Sequence, residues 1–98
     1  MNWENNRINL GVVKEKSTNK FSFLLVEPVE VTKITPSCGG CTTAKLKDNF
    51  LNVTYKPGKI PKHIADKHNF QYVTKTITVT YADGQKEVLT FTAKIEKL

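Results

Sequence analysis

Gln71-Tyr-Val-Thr-Lys-Thr-Ile-Thr-Val-Thr-Tyr81 runs into Ala82-Asp83-Gly84 and returns as Lys86-Glu-Val-Leu-Thr-Phe-Thr-Ala-Lys-Ile95. Side chains alternate across a strand with a period of two. Val73, Ile77, Val79 and Tyr81 therefore share one face of the outgoing segment, and Thr74, Thr76, Thr78 and Thr80 share the other. On the return, Leu89, Phe91, Ala93 and Ile95 form the apolar set. The two apolar sets fall on one side only when the numbers of paired residues add to an even total. A two-residue Asp83-Gly84 loop makes the total odd and sets Ile77 against Thr90. A three-residue loop, Ala82 to Gly84, with Gly84 left-handed after a type I turn, sets Ile77 against Leu89. The pattern therefore predicts a bulged hairpin with one dry face and one threonine face.

The same period recurs upstream. Ile8, Leu10 and Val12 alternate, as do Phe21, Phe23 and Leu25, and then Val29, Val31 and Lys33 ahead of Ile34 and Pro36; Cys41 to Leu46 and Phe50 to Tyr55 complete the series. Twelve Thr, nine Val and six Ile against four Ala favour strands over helices. About seven short antiparallel strands parted by turn residues predict an all-β, immunoglobulin-like β-sandwich. With 98 residues the chain makes one domain, 1–98, too small for a large enzyme fold. At 39% apolar and 24% charged it is an ordinary globular composition. Between Pro57 and Asn69 the alternation stops, which predicts a long connection between sheets with one helical turn at Ile64 to Lys67.

The net charge is +6, and fourteen of the fifteen basic residues are Lys, with Arg7 the exception. That charge attracts acidic surfaces, but the arginine forks that read guanine are nearly absent, so no sequence-specific nucleic-acid partner is expected. The N-terminal Met-Asn-Trp-Glu-Asn-Asn-Arg stretch lacks the apolar run of an export signal. The longest apolar stretch, Phe21 to Val26, is far too short for a helical membrane span. Synthesis in a bacterial cytoplasm is expected, with no membrane partner. In that compartment Cys38 and Cys41 are expected as thiols, and the Asn52-Val-Thr54 glycosylation pattern has no meaning there.

Cys38-Gly-Gly-Cys41 admits three readings: a redox pair, half of a zinc site, or a tight turn between strands. A redox pair needs its first cysteine at a helix N-terminus, whereas Thr42, Thr43 and Leu46 read as strand. Cys38, Cys41, His63 and His68, the only Cys and His in the chain, follow the order of a C-x₂-C, H-x₄-H zinc set. Pro61 and the short segment after it barely permit the finger helix that this set requires, and the separation of twenty-one residues exceeds the usual finger spacing. The expectation is a metal-free structural turn, with two glycines easing the backbone and two small thiols packed beneath. Neither a nucleophile elbow nor a P-loop nor a dinucleotide fingerprint occurs. Asp66 lies between His63 and His68 without a placed nucleophile. No enzyme activity, cofactor or small-molecule substrate is expected.

Several segments, taken in order, resemble one family. They are Leu10-Gly11-Val12-Val13, Phe21-Ser-Phe23, Pro28-Val-Glu-Val31, Ser37-Cys38-Gly39-Gly40-Cys41-Thr42, Pro57-Gly58 and Lys75-Thr-Ile-Thr-Val79. From Ile8 to Ile95 the chain resembles the bacterial immunoglobulin-like family known as domain of unknown function 1573, related in form to Hydin and major-sperm-protein domains. It departs from that pattern by one extra glycine between the cysteines, and by Leu24-Leu-Val-Glu27 in place of an asparagine-glycine turn. The resemblance implies the sandwich fold and a binding or scaffolding role, with no catalytic residues to carry over.

The abundance of Lys, Asn and Ile points to an AT-rich genome. A free-standing, unexported domain of this kind resembles the small accessory proteins that tailed phages place on their heads. The leading expectation is a noncatalytic virion protein, an auxiliary or decoration protein bound to the capsid lattice, with capsid or other virion proteins as partners. Thr74, Thr76, Thr78 and Thr80, or the loops at either end, would dock. An intracellular bacterial interaction module is the alternative, and a zinc-dependent nucleic-acid binder a third reading.

Overall fold

The computed structural model describes residues 2–65 and 67–98. Among them the chain forms β1 (Arg7–Lys14), β2 (Asn19–Leu24), β3 (Val31–Pro36), β4 (Thr42–Lys47), β5 (Phe50–Tyr55), α1 (Lys62–Ala65), β6 (Phe70–Tyr81) and β7 (Lys86–Glu96). The fold is all-β in two sheets, one of order β1-β7-β6-β3 and one of order β2-β5-β4. The β6–β7 hairpin has the predicted register, with Ile77 opposite Leu89. Gly84 lies at φ +86°, its N–H donates to the Tyr81 carbonyl at 3.0 Å, and the Tyr81 N–H donates to the Gln85 carbonyl at 2.9 Å. These are the bonds of a three-residue loop with a left-handed glycine at its end.

The sheets meet through the residues that the alternation selected. Phe91 on β7 is wholly buried, and its ring centroid lies 5.0 Å from that of Phe21 on β2 and 5.2 Å from that of Tyr55 on β5. Edge-to-face and tilted contacts of this kind set the positive ring edge on a negative ring face. Leu51, Val53, Ile77, Val79 and Leu89 fill the space around them.

Three details differ from the sequence reading. First, β1 pairs with β7 in parallel, so the strands are not all antiparallel. Second, β1 changes face midway: the register slips between Asn9 and Val12, where Gly11 takes φ +73° and donates its N–H to Asn9 Oδ1 at 2.9 Å. This is a β-bulge, and one extra residue reverses the alternation beyond it. Ile8 and Leu10 pack on the core, Val12 turns outward, and Val13 and Glu15 turn in. Third, β3 slips between Val31 and Lys33, so Lys33 is exposed and Ile34 takes the inward place opposite Val79. Within the long connection the helical turn spans Lys62–Ala65 and so begins two residues before Ile64; Asp66, part of the turn expected from sequence, lies outside the described residues.

The Glu15 side chain, brought inward by the bulge, holds one end of the molecule together. Its Oε2 accepts the Ile60 N–H at 2.6 Å and its Oε1 the Leu98 N–H at 2.9 Å, while Ile60 is buried in the core. The backbone N–H of Leu98, then that of Ile60, hold the Glu15 carboxyl below its usual value, because both bonds favour the charged form.

Candidate docking surface

The outer face of the four-stranded sheet is set by the same parity that builds the core. Thr74 stands opposite Thr92 and Thr76 opposite Thr90 on β7, while Thr78 faces Val88 on that side and Thr35 of β3 on the other. The four threonines singled out from sequence thus lie on one face, joined by Thr35, Thr90 and Thr92. Thr80, the fourth, pairs with Lys86 and Lys33. The result is a field of hydroxyls and methyls, each hydroxyl both donor and acceptor.

At one end this face becomes aromatic. Tyr72 is 71% exposed. Its ring meets Phe70 edge-on at 5.6 Å, and Phe70 lies 5.5 Å from the His68 ring. The Lys94 ammonium sits 4.4 Å from the Phe70 centroid and 5.8 Å from that of Tyr72, which is cation–π geometry. Exposed Val12 stands in register with Lys94. Between β1 and β6 the bulge leaves a shallow hollow of about 350 Å³, bordered by Asn9, Val12, Tyr72, Thr74, Thr92 and Lys94. Tyr72 was not singled out from sequence, although its even number places it with the threonines. Val12 was assigned inward and became part of this face only through the bulge.

Lysines are densest at one end of a molecule 47 Å by 19 Å by 19 Å. Lys14, Lys16, Lys20, Lys56, Lys59, Lys62 and Lys97 gather where β1 turns into β2 and β5 enters the long connection. Glu4, Glu27, Glu30, Asp48, Asp83 and Glu87 occupy the hairpin end, interspersed with Lys33, Lys47 and Lys86. Lys14 bonds Glu96 at 3.2 Å, an exposed pair of small energetic weight.

The four residues of the zinc reading are not brought together. Cys38 and Cys41 are joined by a disulfide, with Cα atoms 5.5 Å apart, which corrects the expectation of two thiols. His63 lies in α1 and His68 packs on Phe70. Among the described residues no group of three or more His, Cys, Asp or Glu side chains is placed to hold a metal ion. The Cys38–Cys41 segment links β3 in one sheet to β4 in the other, so the turn expected there is present as a closed covalent ring. No helix is long and apolar enough to cross a membrane among the described residues.

No family model matches the chain, and no curated protein sequence matches it. Solved structures share the fold. An endo-fucoidan hydrolase of glycoside hydrolase family 107 superposes with a TM-score of 0.61 at 12% identity, over 98% of this chain and 13% of that one. The SrpA adhesin of Streptococcus sanguinis gives 0.57 at 16% identity, over 88% of this chain and 52% of the adhesin. The M1 domain of titin gives 0.50 at 15% identity, over 94% and 88%. The chain thus spans about an eighth of the hydrolase and about half of the adhesin, and at these identities the likeness is one of fold.

Proposed function

We propose that this chain is an immunoglobulin-like β-sandwich of seven strands that works by binding, without catalysis, and docks through the outer face of the β1-β7-β6-β3 sheet. The observation that carries the reading is that face itself: threonines in cross-strand register with Tyr72, Val12 and Val88 exposed among them. Exposed aromatic and aliphatic side chains set among hydroxyls suit a partner surface of mixed polarity. The proposed partner is the capsid lattice of a tailed phage, on which the protein sits as an auxiliary or decoration protein. The charge of +6 fits an acidic lattice, which would draw in the lysine-rich end.

Quantitative mass spectrometry of purified virions tests this directly, with copies in proportion to the major capsid protein as the expected result. Absence from particles overturns the proposal. Rebinding of purified protein to particles lacking it locates the surface. Tyr72→Ala and Thr76→Glu should each weaken rebinding at least tenfold with an unchanged melting temperature; undiminished rebinding by both moves the docking surface elsewhere.

A further inference from the structure

One lysine interrupts the inward face of β6. Lys75 follows Val73 and precedes Ile77, Val79 and Tyr81 in the same parity, and its register partner is Phe91. A charged group at such a position needs access to water or to an opposite charge. Lys75 finds access in a cleft of about 280 Å³ at the open end of the two sheets, whose walls include Tyr55, Lys59, Cys38 and Cys41. Among the described residues lining that cleft there is no carboxylate. A disulfide and two lysines thus share its walls, and the Lys59 charge also acts on Glu15. Both cysteines are only partly buried, and the two residues between them are glycines with no atom within 4 Å of where a side chain would begin. Their own loop puts no side chain over the sulfurs.

We propose that this cleft is a thiol–disulfide exchange site for small thiols that carry carboxylates. Lys59 and Lys75 raise the local concentration of such an anion and favour the extra negative charge of the attacking thiolate. The Thr42 hydroxyl, 3.6 Å from Cys41 Sγ, is placed to donate to sulfur. A hydroxyl donor there stabilises a thiolate on Cys41, which makes Cys41 the leaving group and Cys38 the atom attacked. In the first step the external thiolate forms a bond to Cys38 Sγ, the Cys38–Cys41 bond breaks, and Cys41 departs as thiolate. A second external thiolate then attacks the external sulfur of the mixed disulfide, releasing a small-molecule disulfide and the Cys38 thiolate. The two protein thiolates take up protons from water, and the two electrons come from the two external thiols.

The test is the second-order rate of reduction of the folded protein by glutathione and by uncharged 2-mercaptoethanol, quenched with iodoacetamide and read by mass. Lys59→Gln and Lys75→Gln should each slow glutathione about three- to tenfold at low salt while leaving 2-mercaptoethanol unchanged. Lys33→Gln, distant from the cleft, should change neither rate. Cys41→Ser with oxidised glutathione should yield a stable mixed disulfide on Cys38. Equal rate changes for the two thiols in Lys59→Gln, a surface variant that should fold normally, overturn the proposal, as does a disulfide that resists both thiols until the protein is unfolded.

Discussion

The two ends of the molecule keep buried polar groups satisfied by different means. At the hairpin end the partners are side chains fixed by strand register. Trp3 Nε1 donates to the Tyr81 hydroxyl at 2.8 Å, and that hydroxyl donates to Glu87 Oε1 at 2.7 Å. Burial, then the bond to Glu87, holds the Tyr81 phenol above its usual value. At the opposite end the connection between β5 and β6 lacks strand register; the Glu15 carboxylate joins its Ile60 N–H to the C-terminal Leu98 N–H, and backbone bonds from Lys16 to Pro57, Lys56 to Cys41 and Lys97 to Asn69, each 2.8 Å, hold its two ends. The hairpin end should therefore lose stability in proportion to what is removed, whereas the clasp end should depend on the charge of Glu15.

The sharpest test of the register is Phe91→Ala against Thr90→Ala. Removing the wholly buried ring should cost about 3–5 kcal/mol in urea unfolding, and removing the outward threonine within about 0.5 kcal/mol. Reversal of that order would place the two faces the wrong way round and remove the proposed docking surface as well. Gly84→Val comes next, at more than about 1 kcal/mol, since a β-branched residue resists φ +86°. Asp83→Asn should be mild because it keeps the acceptor for the Gln85 N–H. Tyr81→Phe should cost about 1–3 kcal/mol by leaving the Trp3 N–H without its partner.

The most diagnostic substitution for the clasp end is Glu15→Gln, because its effect depends on pH. The folded-state carboxyl titrates below its unfolded value, so its contribution is fully present above the unfolded pKa of about 4.3 and is lost as pH falls through the lower folded value. Melting curves of wild type and variant should therefore differ at pH 7 and converge in acid. A difference that stays constant down to pH 2 would show that the clasp works by shape and not by charge.

The hairpin was readable because parity leaves a single loop length that buries both apolar sets. Simple alternation leaves no room for the bulges within β1 and β3, and these account for the misplaced side chains there. At Gly11 the signal was present, since an isolated glycine within a strand pattern marks a bulge; taking it into account would have turned Val12 out and Glu15 in. At Thr32 no glycine marks the slip, and the inward place of Ile34 comes from pairing with β6. The C-x-x-C spacing admits several readings, and the disulfide, in place of the expected thiols, is closed within a local turn in which the Thr42 N–H donates to the Cys38 carbonyl at 3.0 Å. The basic end escaped notice because its lysines are scattered in sequence and are gathered by the β1–β2 turn and the long connection.

The parallel pairing of β1 with β7 also fixes an order of assembly. Arg7 meets Thr90 and Lys14 meets Glu96, so this ladder closes over nearly the whole chain, whereas the β6–β7 ladder closes over a three-residue loop. Loop closure grows costlier with the length enclosed, and ladders between distant segments are made late. The hairpin is therefore expected to zip first and β1 to seat last. Until it does, β7 presents a bare hydrogen-bonding edge beside Phe91 and Ile95, and an unpaired edge of that kind accepts any extended strand that reaches it. Slow seating of β1 is thus the step at which this chain is most exposed to pairing with a neighbouring copy, and pulse-labelled hydrogen exchange should find the amides of residues 7–14 protected after those of the hairpin.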